Sequence, residues 1–95
     1  AIVDYNCSAA QILPHPDIYA QWHAFGLDCL EVDGHDPQEI EHALDYFLSG
    51  KQTKPVAIIA YTVKGKGVPM LEGHGAWHHK IPNAQEYAQI MEALA

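Results

Sequence analysis

Residues 55–82 read PVAIIAYTVKGKGVPMLEGHGAWHHKIP, and this stretch decides the fold. Val56 to Tyr61 is a short run bounded by Pro55, partly β-branched and apolar at both odd and even positions. Such a run is expected as a strand buried on both faces, the kind found in parallel sheets. Beyond Thr62 comes a loop with two lysines and two glycines, Lys64-Gly65-Lys66-Gly67, then a histidine-rich segment around Trp77, from His74 to His79. Open parallel sheets collect ligands just beyond the carboxyl ends of their strands, where this loop falls. Glycine lets the backbone come close to a ligand, and lysine supplies positive charge. In so acidic a chain, paired lysines at a strand end point to an anion, with phosphate the first candidate.

Outward from this stretch the pattern alternates. Ala1 to Tyr5 is expected as a short buried strand, and residues 7–16, with Pro14 and Pro16, as a loop. A helix is expected from Asp17 to about Phe25, with Ile18, Trp22 and Phe25 on one face and Gly26 as its stop. Asp28 to Val32 is a second strand, turning at Asp33-Gly34-His35. Asp36-Pro37-Gln38-Glu39 is a helix start: Asp36 caps, Pro37 suits the first helical position, and Glu39 can complete a capping box. Ile40, Ala43, Leu44 and Phe47 form the apolar stripe, and Gly50 ends the helix. Asn83-Ala84-Gln85-Glu86 repeats the cap logic before a last helix striped by Tyr87, Ile90, Met91 and Leu94. The order is strand, helix, strand, helix, strand, long loop, helix. That is an α/β arrangement, a parallel sheet with flanking helices.

The 95 residues suffice for one domain, which at this size buries on the order of 65% of its unfolded surface. The net charge of −7 argues against nucleic acid or an anionic membrane surface as partner. No apolar run approaches the length of a membrane span, and no signal peptide is read. Cys7 and Cys29 make neither a disulfide framework nor a zinc set, and a reducing cytoplasm is the expected compartment. The chain opens on Ala1-Ile2-Val3, already strand-like, with no initiator methionine. Three strands also make a thin sheet. The expectation is a portion of a longer chain or one subunit of a split protein, with an uncovered sheet edge that self-associates.

Several residues can carry chemistry. Asn6 follows the first strand. Its amide oxygen can coordinate a hard cation such as magnesium, or bond its own backbone as an ordinary turn asparagine, the favoured reading from spacing alone. Asp33-Gly34-His35-Asp36 reads as a turn and a helix cap rather than a ligand set. Lys64-Gly65-Lys66-Gly67 can hold a phosphate but lacks P-loop spacing, so a solvated basic loop stands beside that reading. His74, His78 and His79 invite a zinc reading, but no cysteine lies near them and Glu72 is the only nearby acid. A histidine beside Trp77 can instead act as acid, base or hydrogen-bond donor to a phosphorylated ligand.

The motifs in order are specific as a set. Val3-Asp4-Tyr5-Asn6, Phe25-Gly26, Val32-Asp33-Gly34-His35-Asp36, Lys54-Pro55, Thr62-Val63-Lys64-Gly65-Lys66-Gly67-Val68 and Trp77-His78-His79-Lys80-Ile81-Pro82 resemble the diphosphate-binding domain of transketolases, especially those split into two subunits. The resemblance covers essentially the whole chain, residues 1–95, as the carboxyl-terminal portion of that domain. It implies a thiamine diphosphate enzyme of carbohydrate metabolism, using magnesium or calcium and passing a two-carbon ketol unit between sugar phosphates. By the resemblance, Asn6 and the backbone carbonyl of Ser8 bind the metal. Lys64 lies at the cofactor, His78 contacts both the diphosphate and the substrate side, and Lys80 sits near the substrate channel. His79 stands where many members have glycine. The metal-binding aspartate of the family's Gly-Asp-Gly motif would precede Ala1. The implied partners are that upstream segment, a pyrimidine-binding domain or subunit, and sugar phosphates, in an oligomer. By itself the chain is expected to be inactive. Deoxyxylulose-phosphate synthases share looser versions of the lysine–glycine and Trp-His elements and remain an alternative. A non-catalytic α/β assembly module is another.

Overall fold

A computed structural model describes residues 14, 17–73 and 75–95. These belong to two compact units, one formed by Pro16–Thr62 and the other including Val63–Ala95. The expected first strand, with Asn6 and Ser8 beyond it, lies outside the described residues, as does His74.

The first unit begins with helix α1, Ile18–Ala24. Asp17 caps it, accepting a hydrogen bond from the Ala20 N–H at 2.8 Å. At the other end the Gly26 N–H reaches the His23 carbonyl and the Leu27 N–H the Trp22 carbonyl, a Schellman motif. The motif needs a left-handed residue, and Gly26 supplies it at φ +88°. Phe25 falls outside the helix and is 84% exposed, so it does not join the packed face expected of it.

Strand β1, Asp28–Asp33, pairs in parallel with β2, Val56–Tyr61, in a register that sets Asp28 opposite Val56 and Asp33 opposite Tyr61. Helix α2, Pro37–Leu48, makes the crossover between them and packs on both strands. The α/β arrangement with a parallel sheet is therefore present. Two parts of the expectation need correction. The first is β2, which is half-buried to exposed along its length rather than buried on both faces. Among the described residues the sheet has two strands, the expected first strand lying outside them. The core of this unit is small: Val32 is 8% exposed and Ala43, at the centre of the α2 stripe, 4%. Leu44, Phe47 and Leu48 are exposed. On the strands, the Tyr61 hydroxyl donates to the Glu31 carboxylate, which holds the phenol above its ordinary pKa.

The second correction concerns the start of α2. Asp36 caps as expected, accepting from the Gln38 N–H at 2.9 Å, with Pro37 in the first turn. Glu39, however, does not close a capping box. The Asp36 N–H is taken by the Asp33 carbonyl, and the Glu39 carboxylate accepts from the Asp33 N–H at 2.6 Å instead. That amide belongs to the last residue of β1, where pairing with β2 is already made through the Gly34 N–H to the Tyr61 carbonyl. A carboxylate one turn into the helix thus covers an amide of the strand end.

The second unit runs through turns into a 3-10 turn, Gly75–His78, and ends in helix α3, Ala84–Leu94. Here the capping box forms in full. The Asn83 side chain accepts from the Glu86 N–H at 2.8 Å, and the Glu86 carboxylate accepts from the Asn83 N–H at 2.9 Å. Tyr87, Met91 and Leu94 of the α3 stripe are exposed, and Val68 is buried at 4% exposure.

A candidate thiamine diphosphate site

The lysine–glycine loop is folded on itself. The Lys66 N–H bonds the Val63 carbonyl, the Val68 N–H the Gly65 carbonyl, and the Gly73 N–H the Lys64 carbonyl, all at 3.1 Å. The Gly67 N–H donates to the Glu72 carboxylate at 3.1 Å. These amides are spent on the loop's own turns, so they form no open cradle of N–H groups for a phosphate. Gly65 is essential to this path. Its φ is +80°, and a Cβ there would lie 2.8 Å from the Leu71 carbonyl oxygen. Apart from these four amides, the loop offers an anion the side-chain charge of Lys64 and Lys66.

That charge is placed at once. The Lys64 ammonium sits 2.9 Å from Nδ1 of His78, bringing together two of the residues singled out in the sequence, 14 positions apart. An ammonium group only donates, so Nδ1 must be the acceptor and the imidazole carries its proton on Nε2. The Lys64 charge, partial desolvation and His79 together hold the His78 imidazole below its ordinary 6.5. His78 is thus a neutral histidine at neutral pH, and its Nε2–H is a donor backed by a cation. The His79 ring meets the His78 ring edge-on with centroids 4.6 Å apart.

The next residues of the segment are tied to α3. The Lys80 ammonium lies 4.3 Å from the centre of the Trp77 ring and forms an ion pair with Glu86. Glu86 therefore uses one carboxylate oxygen for the Lys80 ammonium and the other for the Asn83 cap. Both contacts lower its pKa from the usual carboxylate value, the Lys80 hydrogen bond most. Sequence reading found the capping role of Glu86 but not its grip on Lys80, because a contact across Ile81 and Pro82 follows no helical or strand spacing.

The residues present fit a diphosphate: the Lys64 ammonium bonds Nδ1 of His78, the Nε2–H across the ring is a second donor, and both groups favour oxyanions. Among the described residues no group of three His, Cys, Asp or Glu side chains is placed to share a metal, and His74 of the zinc reading lies outside them. His78 ends the short 3-10 turn, and His79 follows it with its ring edge-on to that of His78. Asn6 and Ser8 lie outside the described residues.

Comparison with known proteins shows the family. The family described as "Transketolase, thiamine diphosphate binding domain" matches residues 7–95. The chain is 31% identical to one of the subunits of the apulose-4-phosphate transketolase of Phocaeicola vulgatus, an alignment covering 100% of this chain and 35% of the relative. It is 35% identical to the protein of the same name from Actinobacillus succinogenes, over 78% of this chain and 26% of the relative. It is 45% identical to transketolase-like protein 2 of Bos taurus, over 67% of this chain and 10% of the relative. The chain thus spans about a third or less of the length of these curated relatives. With the match running from residue 7 to the last residue, the chain belongs to the family of transketolase thiamine diphosphate binding domains.

Proposed function

We propose that residues 1–95 are the carboxyl-terminal portion of the diphosphate-binding domain of a transketolase-like transferase, and that they grip the diphosphate end of thiamine diphosphate. The observation that carries this reading is the Lys64–His78 pair, a cation hydrogen-bonded to a histidine whose proton is thereby set on Nε2. Lys64 supplies charge to the diphosphate, and His78 donates a hydrogen bond to it and faces the substrate side, where it can hold or pass a proton. A divalent ion, magnesium or calcium, would take the Asn6 amide oxygen and the Ser8 carbonyl from this chain. Its remaining ligand would be an aspartate from a segment outside this chain. When bound, thiamine supplies the carbanion chemistry of two-carbon transfer, and the protein's part is positioning and electrostatics. The two bacterial relatives, each named as a single subunit of its transketolase, support a split enzyme, with a second subunit binding the pyrimidine end and sugar phosphates as substrates.

The test is calorimetric titration of thiamine diphosphate with magnesium into the full chain, alone and mixed with upstream and pyrimidine-domain segments of a split relative. Binding in the mixture, lost in Asn6→Ala and weakened at least tenfold in His78→Ala, is the expected result. Equal affinity in wild type and both variants, or no binding in any mixture, would overturn the assignment.

A further inference from the structure

The Lys80–Glu86 contact would count for little if it were an ordinary surface ion pair, because two long side chains would have to be ordered for it. Here one partner is already ordered. The Glu86 carboxylate is held by the Asn83 N–H as half of the capping box, and its side chain is only 19% exposed. Forming the pair therefore restrains Lys80 alone, and the Trp77 ring supports the ammonium from another side. Trp77 and Lys80 bracket His78 and His79 in the chain. The contact therefore fastens both ends of this four-residue segment to the amino end of α3, across the exposed Ile81 and half-buried Pro82. The opposite side of the segment is held by Lys64 on His78.

We propose that Glu86 is a positioning residue for His78: through Lys80 and Trp77 it locks the 3-10 turn to the cap of α3 and so holds the imidazole against Lys64. This deepens the proposed function and rests on it for the role of His78, but the lock itself is a property of this chain. The functional consequence is that the donor N–H of His78 is set in place before any ligand arrives. The binding residue then need not be ordered at the moment of binding.

The test separates the lock from the cap. Glu86→Gln keeps a side-chain oxygen for the Asn83 N–H, since glutamine serves in capping boxes, but loses the charge that holds Lys80. Asn83→Ala removes the cap's other half and leaves the Lys80 contact. Two signals are read by NMR on the full 95-residue chain. One is the upfield ring-current shift of the Lys80 ε-methylene over Trp77. The other is the titration midpoint of His78. Among the described residues the groups acting on His78 are Lys64 and His79, with Lys80 and Glu86 beyond them. Removing the Glu86 charge by electrostatics alone would push the His78 midpoint further down. Release of the turn moves His78 away from Lys64 and pushes it up, toward 6.5. The expected result is loss of the ring-current shift and an upward His78 midpoint in Glu86→Gln, with both signals unchanged in Asn83→Ala. A midpoint that stays or falls in Glu86→Gln, or an equal response in Asn83→Ala, would overturn the proposal. Neither readout needs thiamine diphosphate. Failure of cofactor binding would therefore sink the proposed function and leave the lock to be judged on its own signals.

Discussion

At the scale of single residues, the distribution of charge around His78 makes the sharpest statement. Lys64 is the largest cause of its lowered pKa, so Lys64→Met should raise the His78 midpoint toward 6.5, followed by NMR of the imidazole C–H protons. The sign for stability follows from linkage. Between the folded-state midpoint and 6.5 the unfolded chain binds more protons, so stability rises with pH across that window and is lost as pH falls through it. Glu86 behaves as a depressed carboxylate. Its contribution is complete above its ordinary 4.5 and disappears as pH falls through the lower folded value, a loss that Glu86→Gln should not show in urea titrations at acid pH. Gly65 carries a different constraint. Gly65→Ala places a Cβ against the Leu71 backbone in a left-handed conformation that costs about 1–2 kcal/mol before any clash. Its expected signature is a His78 midpoint shifted toward 6.5, because the loop that delivers Lys64 no longer closes.

At the scale of elements, caps do much of the specifying. Asp36 and Asn83 sit where sequence logic puts them, Asp17 stands just before the helix it is expected to begin, and all three accept amide hydrogens as caps. Replacing any of them by alanine should cost about 1 kcal/mol, read from denaturant midpoints. Glu39 shows where that logic stops. The four residues of the box were legible, but the carboxylate turns to the Asp33 amide because the turn Asp33-Gly34-His35-Asp36 had already taken the Asp36 N–H. Glu39→Ala should therefore weaken the end of β1 more than the first turn of α2. Faster amide exchange at Asp33 than at Gln38 would be its mark. The stripes were legible too, yet Leu44, Phe47, Met91 and Leu94 stand exposed, because periodicity records which side of a helix is apolar and not what covers it.

At the scale of the whole molecule, the described residues bury little. Three apolar residues are buried among them, none completely, and large ones such as Trp22, Phe47, Leu48 and Tyr61 are exposed. Among the described residues the sheet has two strands, too few to enclose a strand as apolar as β2. The 95-residue chain in isolation is expected to bind a hydrophobic dye and to self-associate with rising concentration, as measured by sedimentation. Phe47→Asp, on the bare side of α2, should reduce both responses. A monomer silent toward the dye would refute this expectation.

The sequence by itself determined the order of helices and strands from Ile18 onward, the parallel pairing and the caps at Asp36 and Asn83, because these depend on local backbone chemistry and on side-chain period. It also carried the family, in an ordered set of short motifs. Only the tertiary structure decided that the lysine–glycine loop spends its Lys66 and Gly67 amides on its own turns, that the Lys64 side chain meets His78, and that Glu86 serves both a helix cap and Lys80. The physical reason is that these contacts join residues through turns, where no period links sequence separation to distance, and where each donor goes to the nearest acceptor the folded chain provides.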